Sequence, residues 1–577
     1  MNQKGLDVNF FIGMFLIFGL LLWFNVNQVP TQELASIDID TDIHKQVESV
    51  DFFHKENVKN QANNSRLVPE DSIQLYELSN DYLKIIISNH GASVSKVFLN
   101  DYYTYDSLEL KLVDSLDFNL SFFHNQKLIN TNQIVFNEVV KIENQLSFTF
   151  KDEINNSITL IYELLPDSYQ LNCKVVTDNY EGYLEPHKLT WSQIMPQLEK
   201  NIDNERNVTT INYSFNNKSS KQLSLMKDSE KILESPNWIA NRQQFFSTIL
   251  YSDNIFNSTI LNSNTPSSND YVKKLNSEFT INYDNQSSEY VFDMYFLPNK
   301  YSLLSSYDKG FESLVPLGWG VFGWVNKFLV IPMFNFLEDF GLNYGLIILI
   351  IALVIKFILF LPTRASYLSM AKMRVLKPEI DAINEKVKDP MERQQAHMNL
   401  YRKTGVNPLG GCLPLLLQMP ILIALFRFFP ASIELRQQPF LWADDLSSYD
   451  SILDLGFSIP LYGDHISLFA LLMTFATVLQ MIYSNQMSAN NAQMPQMKYV
   501  MYTMPIIFLF VMNNYSSALS YYYFLANLIT FGQQLVIRSS INDDKLYAML
   551  QANKKKPRQK SNFQKKIEEI AKKNQNK

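Results

Sequence analysis

Apolar positions in this chain follow two rhythms. Between about residues 73 and 298 they alternate with polar ones in short runs, among them YLKIII at 82–87, SVSKVF at 93–98, SITLIY at 157–162 and YQLNCKVV at 169–176. Turn residues such as Asn89, His90 and Gly91 separate the runs. Successive side chains of a strand point to opposite faces, so alternation marks a surface buried on one side. Many such strands without helical patterns between them predict an antiparallel β-sandwich.

The second rhythm is one of long apolar runs. The first, VNFFIGMFLIFGLLLWF at 8–24, follows a single basic residue, Lys4, and precedes no small-x-small cleavage signal. It predicts an uncleaved signal-anchor helix within 1–26. Residues 27–72 are polar and aperiodic, a tether to the β-domain at 73–318. Residues 319–341 mix apolar positions with Asn326, Lys327, Asn335 and Glu338. With Trp319 and Trp324 at headgroup depth they predict an amphipathic helix at the outer interface; Pro332 leaves a kinked span as the alternative. A second transmembrane helix occupies 342–362. Residues 363–408 form a charged helical hairpin, seamed by Leu368, Met373, Leu376, Ile380, Ile383 and Val387 and broken locally at Pro378. Runs at 412–429, 466–484, 499–512 and 516–537 place transmembrane helices three to six within 409–537, and 538–577 is a basic tail. The predicted fold is a membrane protein: an α-helical core with six transmembrane helices plus a large extracytoplasmic antiparallel β-sandwich domain.

Charge sets the orientation. Residues 364–403 carry nine Lys/Arg against five Asp/Glu, and the tail from Arg538 carries twelve against four. The loop 431–465 carries six acids against one arginine, Arg436. Positive loops stay in the cytoplasm. Hairpin, tail and both termini are therefore expected inside, and the acidic loop and β-domain outside. Residues 27–318 hold 39 acidic and 23 basic side chains, which we read as a solvated surface.

The run YGLIILIIALVIKFILFLP at 344–362 contains one charge, Lys356. An ammonium deep in a span costs about 2.5–3.5 kcal/mol on insertion scales, so its position needs a reason. From Lys356 to Leu361 is about 7.5 Å along a helix, within reach of a snorkelling lysine. The alternative is a polar cavity. Ser520, Tyr523, Asn527, Thr530 and Gln534 recur at helical spacing as one stripe on the last span; Thr474, Thr477, Gln480 and Ser484 form another, and Gln418 adds to them. Under the expected topology, Lys356, Gln418, Gln480, Ser484, Thr530 and Gln534 share the cytoplasmic half of the bilayer, while the outer half has fewer strongly polar groups, with Arg427 near its outer end as an exception. Interhelical glue accounts for such residues in general but not for their gathering in one leaflet. A recess open to the cytoplasm does, and it hydrates Lys356.

Other chemistries lack their residues. Cys173 and Cys412 imply no disulfide framework, and the seven histidines form no metal motif. There is no phosphate-binding glycine loop, dinucleotide fingerprint or nucleophile elbow. The expectation is of no catalytic residue, no cofactor and no metal: not an enzyme.

The motifs themselves carry a resemblance. TRASYLSMAKMR at 363–374, Leu400-Tyr401, VNPLGGCLPLLLQMP at 406–420, ELRQQPF at 434–440, Tyr522-Tyr523 leading to Asn527, and WIANRQQFF at 238–246 are similar to the YidC family of bacterial membrane-protein insertases over nearly the whole chain. The resemblance implies a periplasmic β-supersandwich, a five-helix insertase core and a mobile cytoplasmic hairpin. It matches Lys356 to the family's positive groove residue, and Tyr522 and Tyr523 to its substrate-contacting tyrosines. That positive residue is usually arginine. Lysine keeps the sign but loses the bidentate fork, and it can shed its proton when buried.

The function so implied is insertion of hydrophobic segments of nascent proteins into the inner membrane through a cytoplasm-open hydrophilic groove, alone or with the Sec channel. Its lining is Lys356, Gln418, Gln480, Tyr522, Tyr523, Asn527, Thr530 and Gln534. Implied partners are nascent membrane proteins, the lipid bilayer, the ribosome, the Sec translocon and the signal-recognition-particle receptor. The tail from Lys554 fits either ribosomal RNA phosphates or anionic lipid. Two other classes stand beside this one: a small-molecule transporter, and a cell-surface binding protein acting through the β-domain.

Overall fold

The structure, a computed structural model, describes residues 73–555 apart from 125–126, 152–156, 179–184, 226, 253–255, 282–288, 408–409, 411–412, 461 and 488–494. The expected signal anchor, the tether and the end of the basic tail lie outside the described residues.

Strands between Leu75 and Pro298 form sheets of nine, six and four strands, with antiparallel neighbours. The two larger sheets face each other. Phe292 of the nine-stranded sheet meets Phe118 and Phe256 of the six-stranded one, with ring centroids 5.8 and 6.1 Å apart. The strand Lys273–Ile281 shows the alternation that builds this core, burying Leu275, Ser277, Phe279 and Ile281 while the residues between them stay more exposed.

Two strands break the alternation. Trp238–Arg242 and Phe246–Tyr251 are buried on both faces, because the chain that leaves the sandwich folds back over them. Trp238 Nε1 donates to the Lys309 carbonyl at 2.9 Å and its ring meets Phe311 edge-on; Arg242 donates to the Leu314 carbonyl at 3.1 Å. Gln244 reaches the Pro430 carbonyl at 3.0 Å, and the Arg436 guanidinium lies over the Phe246 ring. The segment WIANRQQFF is thus the seam between the β-domain and the helical region.

From residue 320 the chain is mainly helical, apart from a two-stranded antiparallel ribbon, Leu453–Ile459 with Gly463–Ile466. Helix α1, Gly320–Glu338, contains a π-turn at Asn326–Val330 just ahead of Pro332, where the missing N–H would otherwise interrupt the hydrogen-bond ladder. Lys327 is exposed and Asn335 and Glu338 are half-buried, but the polar residue next to Lys327 turns inward. Asn326 is fully buried, donating to the Leu317 and Ala424 carbonyls at 2.7 and 2.8 Å, while Val321, Trp324, Phe328 and Phe336 are exposed. An amide that satisfies two carbonyls can sit inside, and it fixes α1 against its neighbour.

Helix α2, Tyr344–Ile358, starts on Asn343, whose side chain caps the Gly345 N–H at 2.9 Å. Gly345 has no room for a Cβ, because the Phe440 ring packs directly on it. The apolar run continues in sequence to Pro362, but the helix does not: a 58° bend at Leu359 separates α2 from α3, Phe360–Val375. Pro362 falls in the first turn of α3, where its lost N–H is tolerated. Helices α4, Lys377–Lys386, and α5, Pro390–Thr404, form the hairpin. Asp389 caps α5 by accepting from Met391 N and Glu392 N at 2.9 Å, and Gly405 ends it in the left-handed region. Met373, Leu376 and Ile380 are buried in the hairpin seam; Leu368 is exposed and does not belong to it.

Four more helices complete the bundle: α6, Leu413–Phe428; α7, Leu468–Met487; α8, Pro495–Met512; and α9, Ser517–Ser539. A further helix, α10, Asp543–Lys555, follows where sequence suggested only a basic tail. Helix α9 packs on α2 and α7, and α3 packs on α6, α7 and α9. The loop 431–465 closes the β-domain end. There Ser516 Oγ donates to the Leu446 carbonyl at 2.7 Å, and Asp450 accepts from Trp442 Nε1 and from Phe469 N at the start of α7.

Candidate functional site

The polar stripe of α9 faces the bundle interior. Ser520, Tyr523, Thr530 and Gln534 are buried and Asn527 half-buried, whereas Leu528, Leu535 and Val536 on the opposite side are exposed. The 3–4 spacing explains this division, since it keeps side chains on one face of a helix.

Lys356 turns inward as well. It is 4% exposed, and its ammonium donates to Gln418 Oε1 of α6 at 3.0 Å; its neighbour Phe357 points out of the bundle and is 82% exposed. Among the described residues Lys356 makes no ion pair, so the charge is held by a neutral amide. Gln533 of α9 donates to the Lys356 carbonyl at 3.1 Å, fixing α9 at that level of α2.

At the next residue of α9, the Tyr367 hydroxyl of α3 accepts from Gln534 Nε2 and also hydrogen-bonds Gln480 of α7. Asn527 donates to Thr477 Oγ1 of α7 at 2.7 Å. Thr530 turns back on its own helix, donating to the Ala526 carbonyl. The expected lining thus separates into two linked clusters, Lys356 with Gln418, and Gln480 with Gln534. Asn527 joins α9 to α7, and among the described residues the Thr530 hydroxyl reaches no neighbouring helix.

The tyrosines lie toward the β-domain end. Tyr522 is buried beside Phe429, and Tyr523 donates to the Leu422 carbonyl of α6 at 3.3 Å, with Phe508 of α8 against its ring. Both rings are enclosed by helices. Among the described residues, two buried polar atoms along α9 have no hydrogen-bond partner, Ser520 Oγ and Gln534 Oε1. Leaving such an atom unpaired costs about 1–3 kcal/mol.

Sequence reasoning missed Tyr367 and Gln533. Tyr367 lies beyond Pro362 in a segment whose charge assigned it to the hairpin. Gln533 sits one residue off the stripe, and the bond it makes is to a backbone carbonyl that carries no sequence signal.

Comparison with known proteins places the chain. A family model described as 60Kd inner membrane protein matches residues 335–545, and one described as YidC periplasmic domain matches residues 75–334. The membrane protein insertase YidC of Parabacteroides distasonis is 38% identical over 620 residues, covering 98% of this chain and 97% of that protein. That of Amoebophilus asiaticus is 40% identical over 498 residues, covering 83% of each. A crystal structure of an active YidC insertase with its first transmembrane domain resolved aligns at 16% identity and a TM-score of 0.33, covering 79% of this chain and 91% of that one. The class is therefore that of inner-membrane protein insertases with a periplasmic β-domain. The chain belongs to the YidC family, and neither transport of small molecules nor binding through the β-domain is favoured as its function.

Proposed function

We propose that the interior of the bundle between α2, α6, α7 and α9 is the groove through which this insertase works. It opens toward the hairpin side, which we take as cytoplasmic, with six spans and both termini on that side. The polar flank of a nascent membrane protein enters and takes up the hydrogen-bonding capacity of Lys356, Gln418, Gln480, Asn527, Thr530 and Gln534. Its hydrophobic segment passes into lipid along α7 and α9, near Tyr522 and Tyr523. No covalent chemistry is required. Unpaired polar groups in hydrocarbon set the barrier to crossing, so shortening the apolar path lowers it.

The observation that carries this reading is the enclosed Lys356 ammonium resting on Gln418, 3.0 Å away. A charge whose partner is neutral attracts an incoming carboxylate, and this gives acidic flanks an advantage. The ribosome, the signal-recognition-particle receptor and the Sec translocon are the partners we propose on the cytoplasmic and lateral sides, with the basic tail meeting RNA phosphates or anionic lipid.

The test uses liposomes containing this protein alone and single-span clients whose flanks carry zero or two acidic residues. Lys356→Arg should retain insertion. Lys356→Ala should slow the acidic client severalfold and the neutral one less. Equal rates for wild type and Lys356→Ala with every client would overturn the groove charge.

A further inference from the structure

The hairpin is held by the helix that follows the last span. Helix α10 packs against α3 and α5, and Leu550 is buried among Met373, Leu376, Ile380, Leu400 and Tyr401. In its first turn Asp543 bridges Arg374 of α3 at 2.6 Å and Arg538 of α9 at 2.9 Å. At its far end Gln551 donates to Glu379 of α4 at 2.5 Å, Lys554 pairs with the same carboxylate, and Asn553 donates to the Thr404 carbonyl at the end of α5 at 3.4 Å. One short helix therefore ties α3, α4 and α5 to α9.

Helix α3 joins this clasp to the groove. It carries Arg374, held by Asp543, and Tyr367, whose hydroxyl closes on Gln480 and Gln534. The two residues lie about two turns apart, roughly 10 Å along a rigid helix. Movement of α3 at the clasp is thereby movement of Tyr367 at the inner mouth. The ion pairs are partly exposed, and such pairs are weak and screened by salt. Apart from the buried Leu550, the clasp therefore rests on contacts that are individually weak.

We propose that α10 is a latch that holds the hairpin over the inner mouth of the groove, and that it releases when a client flank enters. The docking of α10 stands by itself; what its release admits rests on the groove reading above.

The test has two arms on the full chain. In lipid nanodiscs, Leu550→Asp and Asp543→Asn should speed hydrogen exchange in Pro390–Thr404 by about tenfold or more, and leave the strand Phe246–Tyr251 unchanged. In the second arm, Glu379→Cys with Gln551→Cys, in a background without Cys173 and Cys412, is oxidised to join α10 to α4. The joined protein should insert clients severalfold more slowly, and reductant should restore the rate. Unchanged exchange in both variants, or no cross-link, would show that α10 does not hold the hairpin. A cross-linked protein that inserts at the reduced protein's rate would show that release is not needed. Failure of the groove reading looks different: Lys356→Ala would then be silent while the cross-link still blocks insertion.

Discussion

Arg436, in the loop between α6 and α7, donates through Nε to Glu199 of the β-domain at 2.8 Å, joining residues 237 positions apart in a buried ion pair. Arg436 also reaches the Leu198 carbonyl, and the Leu198 and Glu199 N–H groups donate to Glu205, which accepts from Gln243 as well. The guanidinium thus pairs with Glu199, and the backbone at 198–199 links that pair to a second buried carboxylate, Glu205. Removing one partner of a buried pair leaves the other charge uncompensated, at about 3–5 kcal/mol. Arg436→Ala should therefore loosen the seam, read as faster hydrogen exchange in the Ile202–Val208 helix, and Arg436→Lys should recover part of the protection. Unchanged exchange in Arg436→Ala would show that the β-domain is held elsewhere.

The same carboxylates make the seam sensitive to pH. Burial pushes Glu199 up to about 7 against the lowering effect of Arg436, and pushes Glu205 well above the carboxylate range. A carboxyl whose pKa is raised in the folded state keeps a proton that the unfolded chain has lost. Above about pH 4.3 the folded state therefore binds more protons, and stability falls as pH rises toward 7. Thermal unfolding of the full chain, followed by tryptophan fluorescence, should give a higher Tm at pH 5 than at pH 7.5. Glu205→Gln should flatten that slope. A Tm that rises over this interval would contradict the assignment.

Access to the groove is the third expectation. With Cys173 and Cys412 replaced, single cysteines at Gln418, Thr530 and Gln534 should react with a water-soluble maleimide added from the hairpin side. Thr530 and Gln534 should react slowly, because these two sites are buried, and severalfold faster when Tyr367→Phe removes the hydroxyl shared by Gln480 and Gln534. A cysteine at Leu519, near the β-domain end, should stay unreactive from that side. Equal labelling from both faces would mean a continuous pore.

Parts of this architecture were legible in the sequence for clear physical reasons. The stripe on α9 could be read because helical spacing maps directly onto a face, and Lys356 stood out because a charge in a span has few acceptable settings. The β-sandwich was legible from strand alternation, except at Trp238–Arg242 and Phe246–Tyr251, where burial on both faces erases it. The bend at Leu359 was hidden because composition is apolar on both sides of it. The burial of Asn326 has no local signal, because both its partners are backbone carbonyls and one of them is 98 positions away. Helix α10 escaped notice because Leu546 and Leu550 are only two apolar anchors in a segment rich in lysine. The pairing of Arg436 with Glu199 depends on how two distant loops meet, which no local pattern encodes.

The most direct measurement of the central claim is photo-crosslinking to a ribosome-stalled client. Probes at Gln418 and Gln534 should capture the client's polar flank, and probes at Tyr522 or Tyr523 its apolar segment. A probe at Phe357, adjacent to Lys356 in sequence but on the outer face of α2, should capture little of the flank. Capture of the flank at Phe357 equal to that at Gln418 and Gln534 would place the path outside the bundle and contradict the groove.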